Sequence, residues 1–455
     1  MRIKLQLRLA SDFLLFLCFI GAARPLPAQS PEPQKTKEEI SLSSVAASSL
    51  VDAQNGMTQS DLVAHSLAHN PEILAARQER AAAGGDLAQA KLRKNPFLEL
   101  GGMKEVNGDD NRFSIGGSLP LELFGRRARR TEVAEQKLAT STSAVADRER
   151  WIAAEVRSRF GDALAAVRNL AFAEQLLALN REFLRLTDDR ARKGAAAPLD
   201  ADEVRVEVNR IEAQRIGAVA QAELAMLALK EAAGMRPEEP LRVKGNLEEP
   251  APALNATELL RIALAHRPDL AEARAAEQLA AATRSQDRAE SRPDASLSAS
   301  YERPDTGFSQ RAFNPAGNLS PIRQTFNYAV FGLTISLPLF DRRQGALIAD
   351  TALMEAARHR REYAELVVRH DVEQARVRYV LALSQAEVYR TGVRDQADHN
   401  LEIVRKTYEY GRTPVLDVIA EQRRYIDIET GYTGILHAVY LARVALERAL
   451  SAPLP

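Results

Sequence analysis

Residues 61–77 read DLVAHSLAHNPEILAAR and residues 258–274 read ELLRIALAHRPDLAEAR, so Leu62/Leu259, Leu67/Leu264, His69/His266, Pro71/Pro268 and Arg77/Arg274 coincide at one constant spacing. The likeness continues outward. FSIGGSLPL at 113–121 answers FGLTISLPL at 331–339, and Gly194 with Leu199-Asp200 answers Gly411 with Leu416-Asp417, after the spacing has grown by about 20 residues. That growth lies between Tyr301 and Asn327. A unit of roughly 200 residues is too long for a solenoid repeat and points to a duplicated half-domain. The repeats are expected at residues 57–256 and 257–455.

Composition narrows the class. Lys+Arg (61) and Asp+Glu (61) cancel, so the basic footprint of a nucleic-acid binder is missing and no nucleic-acid partner is expected. Aromatics are few while Ala, Leu, Arg and Glu abound, the composition of long helices and coiled coils. No apolar run reaches the roughly 18 residues that a membrane-spanning helix needs. At the N-terminus, Arg2, Lys4 and Arg8 precede an apolar run from Phe13 to Ala23, and Leu26-Pro27-Ala28 makes a cleavage site. Residues 1–28 therefore read as a signal peptide, with cleavage after Ala23 as the alternative. The one cysteine, Cys18, lies inside the apolar run with no small residue before it, so lipidation there is not expected. The mature chain then has no thiol for disulfide, metal-thiolate or nucleophile chemistry. Residues 29–56, rich in Pro, Lys, Glu and Ser over their first part, read as a flexible leader.

After the leader each half is expected to run helix, two strands, two long helices. From Tyr328 to Leu339 the odd positions Ala329, Phe331, Leu333, Ile335, Leu337 and Leu339 are apolar, while the even ones include Gly332, Thr334 and Ser336. This period of two marks a strand with one apolar face. Phe113, Ile115, Leu119 and Leu121 alternate with Ser114, Gly116 and Ser118 in the same way, Ala295 to Tyr301 alternates with serines, and residues 97–103 form a looser fourth strand. Each is about ten residues, the length of a tilted strand crossing a bilayer; taken alone, one such strand reads rather as a half-buried strand of a soluble sandwich.

The helices separate those readings. Proline-free helical patterns of more than about 60 residues follow each SLPL strand, from Arg126 to about Arg192 and from Arg342 to about Tyr408. At about 1.5 Å per residue each would reach roughly 90 to 100 Å. In the second, Val368, Val372, Ala375, Tyr379, Ala382, Ala386, Tyr389 and Val393 recur at the 4-3 spacing of a coiled-coil seam, and Phe160, Val167, Leu170, Leu177 and Leu184 keep the same beat in the first. Such helices need lateral neighbours. A sheet of four membrane-length strands would leave two unpaired edges in lipid, so several copies must share one barrel, and three copies give twelve strands. Residues 105–112 and 302–327 fit exterior loops.

The helix turns are alike in the two halves. Gly194 and Gly411 sit where a long helix stops, and Pro198 or Pro414 follows, as expected for a left-handed stop. Asp200 and Asp417 fall in the first turn of the returning helix, where a carboxylate complements the dipole. Arg190, Arg192, Lys193 and Arg412 cluster at the same tips, either to latch those aspartates, to meet a partner, or simply to complement the helix ends.

These residues resemble the TolC-like outer-membrane efflux proteins over essentially all of 57–450, including the two tips Gly194-x4-Leu199-Asp200 and Tyr410-Gly411-x4-Leu416-Asp417. The stretch from Leu337 to Ala346, LPLFDRRQGA, is similar to the heavy-metal (cobalt-zinc-cadmium) branch. The resemblance implies a mainly α fold with a small β part: a coiled-coil α-helical tunnel plus four transmembrane β-strands per protomer, completing a twelve-stranded barrel in a homotrimer. It implies a passive exit duct in the outer membrane, fed by a periplasmic adaptor and an inner-membrane pump of the resistance, nodulation and division type. At Asp417 it implies an aspartate ring at the closed periplasmic end. Ala420 stands where the family has a second pore aspartate, with Glu421 beside it. Lipid would meet Phe113, Ile115, Leu119, Phe331, Leu333 and Ile335.

His65 and His69 have the i, i+4 spacing of paired metal ligands, but His266 has no such partner and no HExxH order is present, so no metal site is expected. No cofactor is expected either, and no arrangement typical of an enzyme stands out. The other functional class that fits is an exported coiled-coil scaffold or adhesin whose strands form a soluble sheet.

Overall fold

The computed structural model describes residues 46–248 and 255–454. The expected signal peptide, 1–28, and the leader up to residue 45 lie outside the described residues. Residues 46–56, read from composition as the end of that leader, pack instead. Helix α1 (Ala47–Leu50) lies against Val167 and Leu170, and Val51 and Met57 bridge Val243.

The repeated stretch at 61–77 is two helices rather than one. Thr58 opens α2 (Gln59–His69) through a capping box with Asp61, satisfying two otherwise unpaired backbone donors. Asn70 closes α2 and caps α3 (Pro71–Lys91), accepting from Glu72 N at 2.9 Å. Pro71 at the first helical position cannot donate to the preceding turn, so the chain must break there. Pro268 does the same between the later pair.

Strands β1 (Phe97–Lys104) and β2 (Asn111–Pro120) form a hairpin, and a 3-10 turn at Leu123–Gly125 leads into α4 (Arg126–Arg192). At 67 residues, α4 is about 100 Å long. Its single glycine, Gly161, is where Tyr440 crosses; a Cβ would meet the tyrosine ring. Helix α5 (Pro198–Ala233) returns. The order then recurs: α6 (Ala256–His266), α7 (Pro268–Glu290), β3 (Asp294–Phe313), β4 (Leu319–Thr325), β5 (Tyr328–Ser336), α8 (Gln344–Val388), a π-helical turn at Tyr389–Arg394, α9 (Asp395–Glu409) and α10 (Val415–Leu450).

Two expectations are corrected here. The segment 302–327 is not a loop: β3 runs on to Phe313 and β4 folds back along its far half, with a register shift between Gly307 and Arg311. Folding back pairs the segment's own backbone donors and acceptors. The second long helix is interrupted by the π turn, and the seam shows why. Val368, Val372, Ala375, Tyr379 and Ala382 are buried, but beyond the turn the buried positions are Ala397, Leu401 and Tyr408, one residue later than an unbroken 4-3 beat would place them. A π turn absorbs such an extra residue.

The sheet order is β1-β2-β3-β5, all antiparallel, with β4 on the far part of β3. Helices α3, α4, α7 and α8, which lead into and out of the strands, all join it at the same end. The helices form two packed hairpins, α4 with α5 and α10 with α8 and α9, sharing a core of Val156, Phe160 and Leu164 with Tyr432, Leu436 and Tyr440. Within the described residues no helix is long and apolar enough to cross a membrane.

Candidate functional site

Both helix tips are built alike. Gly194 (φ 73°) and Gly411 (φ 70°) take the left-handed conformation. At the first tip Ala195 N donates to Arg190 O at 2.8 Å and Gly194 N to Ala191 O at 3.1 Å. At the second, Arg412 N donates to Thr407 O at 3.0 Å and Gly411 N to Tyr408 O at 2.8 Å. This paired pattern satisfies the last carbonyls and requires a residue free to adopt positive φ. Neither following helix has a side-chain cap, at Ala197 or at Pro414, and Asp200 and Asp417 are the acidic residues of the first turns. Leu199 and Leu416, one residue earlier, are exposed, as is Tyr410.

The basic residues take other partners than the aspartates. Arg190 lies 5.1 Å over the ring of Tyr408 and its Nη1 donates to Tyr408 O at 3.4 Å, tying the first tip to the second. Arg192 pairs with Asp189 on its own helix. Among the described residues Asp200, Asp417, Lys193 and Arg412 form no side-chain ion pair, so the two carboxylates stay open to solvent or to other chains. Glu421 is mostly buried and lies 3.4 Å from Arg424, with one oxygen lacking a hydrogen-bond partner.

The residues that lock the hairpins together carry no sequence signal. Glu207, buried on α5, accepts from Arg423 of α10 at 2.7 Å. Arg394 at the π turn donates to Glu429 at 2.6 Å and stands 5.3 Å over Tyr432. Phe183 meets Tyr408 edge-on at 5.4 Å. Glu207–Arg423 and Phe183–Tyr408 join helices remote in sequence and Arg394 ties the π turn to α10 within one hairpin, so no local spacing announces them.

At the other end the register sorts the sheet into two faces. Ile115 opposes Leu100 and Tyr301, Leu119 opposes Leu297, Leu297 opposes Leu333, and Phe331 opposes Ala299. Phe113 and Ile335 share this side. Since opposed residues point the same way, one face is mainly Leu, Ile, Phe and Ala, with Tyr301 and Arg303 towards its far end, and the other is lined by Ser114, Ser118, Ser298, Gly332 and Thr334. The apolar face is bare: Phe331 is 80% exposed and Leu333 59%. Strands β1 and β5 each pair on one side only.

The histidines near the N-terminus serve helix packing. The rings of His65 and His69 stack at 4.6 Å, and their Nδ1 atoms lie 3.3 Å from Ala233 O and 3.1 Å from His65 O.

The model of the family described as "Outer membrane efflux protein" matches residues 62–235 and 259–452. The chain belongs to the outer membrane efflux protein family. It is 26% identical over 384 residues to the cobalt-zinc-cadmium resistance protein CzcC of Cupriavidus metallidurans, covering 84% of this chain and 87% of that one. It is 25% identical over 437 residues to the nickel-cobalt-cadmium resistance protein NccC of Alcaligenes xylosoxydans xylosoxydans, covering 94% of each. Among solved structures it is similar in fold to a membrane protein from Pseudomonas aeruginosa (TM-score 0.71, 22% identity, 90% of this chain and 92% of that chain). It is likewise similar to the open-state MtrE outer membrane channel of Neisseria gonorrhoeae (TM-score 0.68, 19% identity, 87% and 89%). The efflux family places this chain in the outer membrane as a transport duct and not an enzyme, which leaves the scaffold or adhesin reading without support.

Proposed function

We propose that three copies of this chain assemble a passive exit duct for metal cations. The observation that carries the reading is the sheet: a bare apolar face with an unpaired strand at each edge. In lipid an open edge would leave backbone donors and acceptors unsatisfied. Pairing β5 of one copy with β1 of the next removes every edge, and three copies supply twelve strands, within the range of closed outer-membrane barrels. Phe113, Ile115, Leu119, Phe331, Leu333 and Ile335 then face lipid and the serines face the lumen. The helices run from the periplasmic rim as a tunnel, and exposed Leu179, Leu224, Leu366 and Leu381 supply the contacts between protomers that long two-helix seams need.

Repeats 57–256 and 257–455 descend from one duplicated unit, and residues 1–28 direct export. Asp417 of three copies rings the periplasmic mouth, with Asp200 on the neighbouring tip and Glu421 recessed behind. The exposed Leu199, Tyr410 and Leu416 receive a periplasmic adaptor, and a pump of the resistance, nodulation and division type in the inner membrane supplies the energy. The metal-resistance relatives favour cobalt, zinc or cadmium over drugs as cargo. Deleting the gene should raise intracellular zinc, cobalt or cadmium while leaving drug and dye accumulation unchanged. Unchanged accumulation of both panels, with a matched pump expressed, contradicts the duct.

A further inference from the structure

At the end of the sheet from which the helices leave, cations fall into two groups. Arg126, Arg130 and Arg343 are consumed within the fold: Arg126 lies 3.2 Å from Asp294, Arg130 2.5 Å from Glu122, and Arg343 2.8 Å from Glu290. These pairs use most of the junction's carboxylates, and Asp341 accepts from Arg343 N at 2.8 Å. Lys91, Arg93 and Lys94 before β1, Arg127 after β2 and Arg342 after β5 are all exposed. The side chains of Lys91, Arg93, Arg127 and Arg342 form no ion pair or hydrogen bond with another described residue, whereas Lys94 stands near Glu122, whose carboxylate accepts from its backbone N–H.

Two further features accompany these cations. Phe124 and Phe340 are exposed at the same rim, Phe340 to 92%, where the bare apolar face ends; aromatic side chains favour the boundary between hydrocarbon and headgroups. Between α3, the start of β1 and α4 there is a cleft of about 710 Å³ whose charged lining is Arg93, Lys94, Arg130 and Lys137 against one carboxylate, Asp86. A volume in that range admits a small polar ligand. The opposite end of the sheet has no such excess: Glu105, Asp109, Asp110 and Asp305 stand among its arginines, and Arg323 is paired with Asp305 at 3.0 Å.

We propose that this rim is a binding collar for anionic phospholipid of the periplasmic leaflet, with the Arg93–Lys94 cleft seating a phosphoglycerol headgroup. The proposal rests on the barrel reading, which sets the rim at headgroup height. Guanidinium groups bind phosphate oxygens in pairs, and long basic side chains keep their charge in the headgroup layer while their stems lie along apolar surface. The collar would fix the depth of the barrel and resist tilting of the tunnel below it.

The test uses the full mature protein reconstituted in phosphatidylcholine vesicles with trace spin-labelled phosphatidylglycerol or spin-labelled phosphatidylcholine. Electron spin resonance of the motionally restricted lipid reads their relative association. The wild type should prefer phosphatidylglycerol about fivefold. Arg93→Gln/Lys94→Gln should bring the ratio towards one, while Arg311→Gln at the far end should leave it unchanged. Flotation and circular dichroism establish that each variant is inserted and folded. An inserted wild type with no preference, or a preference that survives the double variant, overturns the collar and leaves the barrel standing. So does a double variant that falls into monomers with its lipid preference intact, which assigns these cations to a neighbouring copy. A wild type that does not enter vesicles overturns the barrel reading, and the collar with it.

Discussion

Arg267 is the most deeply placed arginine of the repeated motif, 4% exposed, with Asp269 at 2.5 Å and Asp371 of α8 at 2.9 Å. Burial pushes the Asp269 carboxyl up, but the hydrogen bonds and charge of Arg267 outweigh it and hold the group below its ordinary value. A depressed folded value means that the contribution is complete above the unfolded-chain value of about 3.9 and disappears as pH falls through the folded one. Arg267→Gln should therefore cost about 1–3 kcal/mol at pH 7 and less at pH 3, read as the gap between variant and wild-type melting midpoints. A gap that does not narrow in acid removes the ion pair from the explanation. At the mouth, three copies of Asp417 would repel by about 1 kcal/mol per close pair in water and salt and attract multivalent cations. In single-channel recordings Asp417→Ala should weaken periplasmic block by a trivalent cation, and Asp200→Ala should mainly change opening probability. Block lost in Glu421→Ala but kept in Asp417→Ala would put the ring one helical turn further in. The tips were legible because glycine, proline and aspartate act locally. Tyr408, Glu207 and Arg423 were not, since their roles exist only once remote helices meet.

The strand β5 and the π turn test two elements. Leu333 lies on the apolar face and Thr334 on the other, so Leu333→Arg should impair membrane assembly by about 2–4 kcal/mol near mid-bilayer, and Thr334→Arg much less. Equal recovery of both in the membrane fraction contradicts a transmembrane strand. The π turn carries one residue more than the seam needs. Deleting Gly392 should give a continuous α-helix with its buried side still in phase and the melting midpoint kept, whereas deleting Ala375 should rotate the remaining seam by about 100° per residue and unfold it. Alternation revealed the strands because a period of two survives at every position. The break at Pro71 was hidden because the apolar spacing continues across it, and the β3–β4 extension because Pro304, Gly307 and Gly317 give it the composition of a loop.

For the whole molecule, the long helices, the sheet and the efflux family membership agree on an outer-membrane channel, while the proposed number of copies rests on edges and seams that one chain leaves unfilled. Exposed leucines along α4, α5 and α8 have no partner surface within the described chain, and β1 and β5 each lack one neighbour. The proposed arrangement of three would meet both deficits. Native mass spectrometry of the protein extracted from outer membranes in mild detergent tests this most directly. The account predicts a dominant species of three mature chains that persists without any adaptor or pump; a monomer or dimer as the dominant species would contradict it.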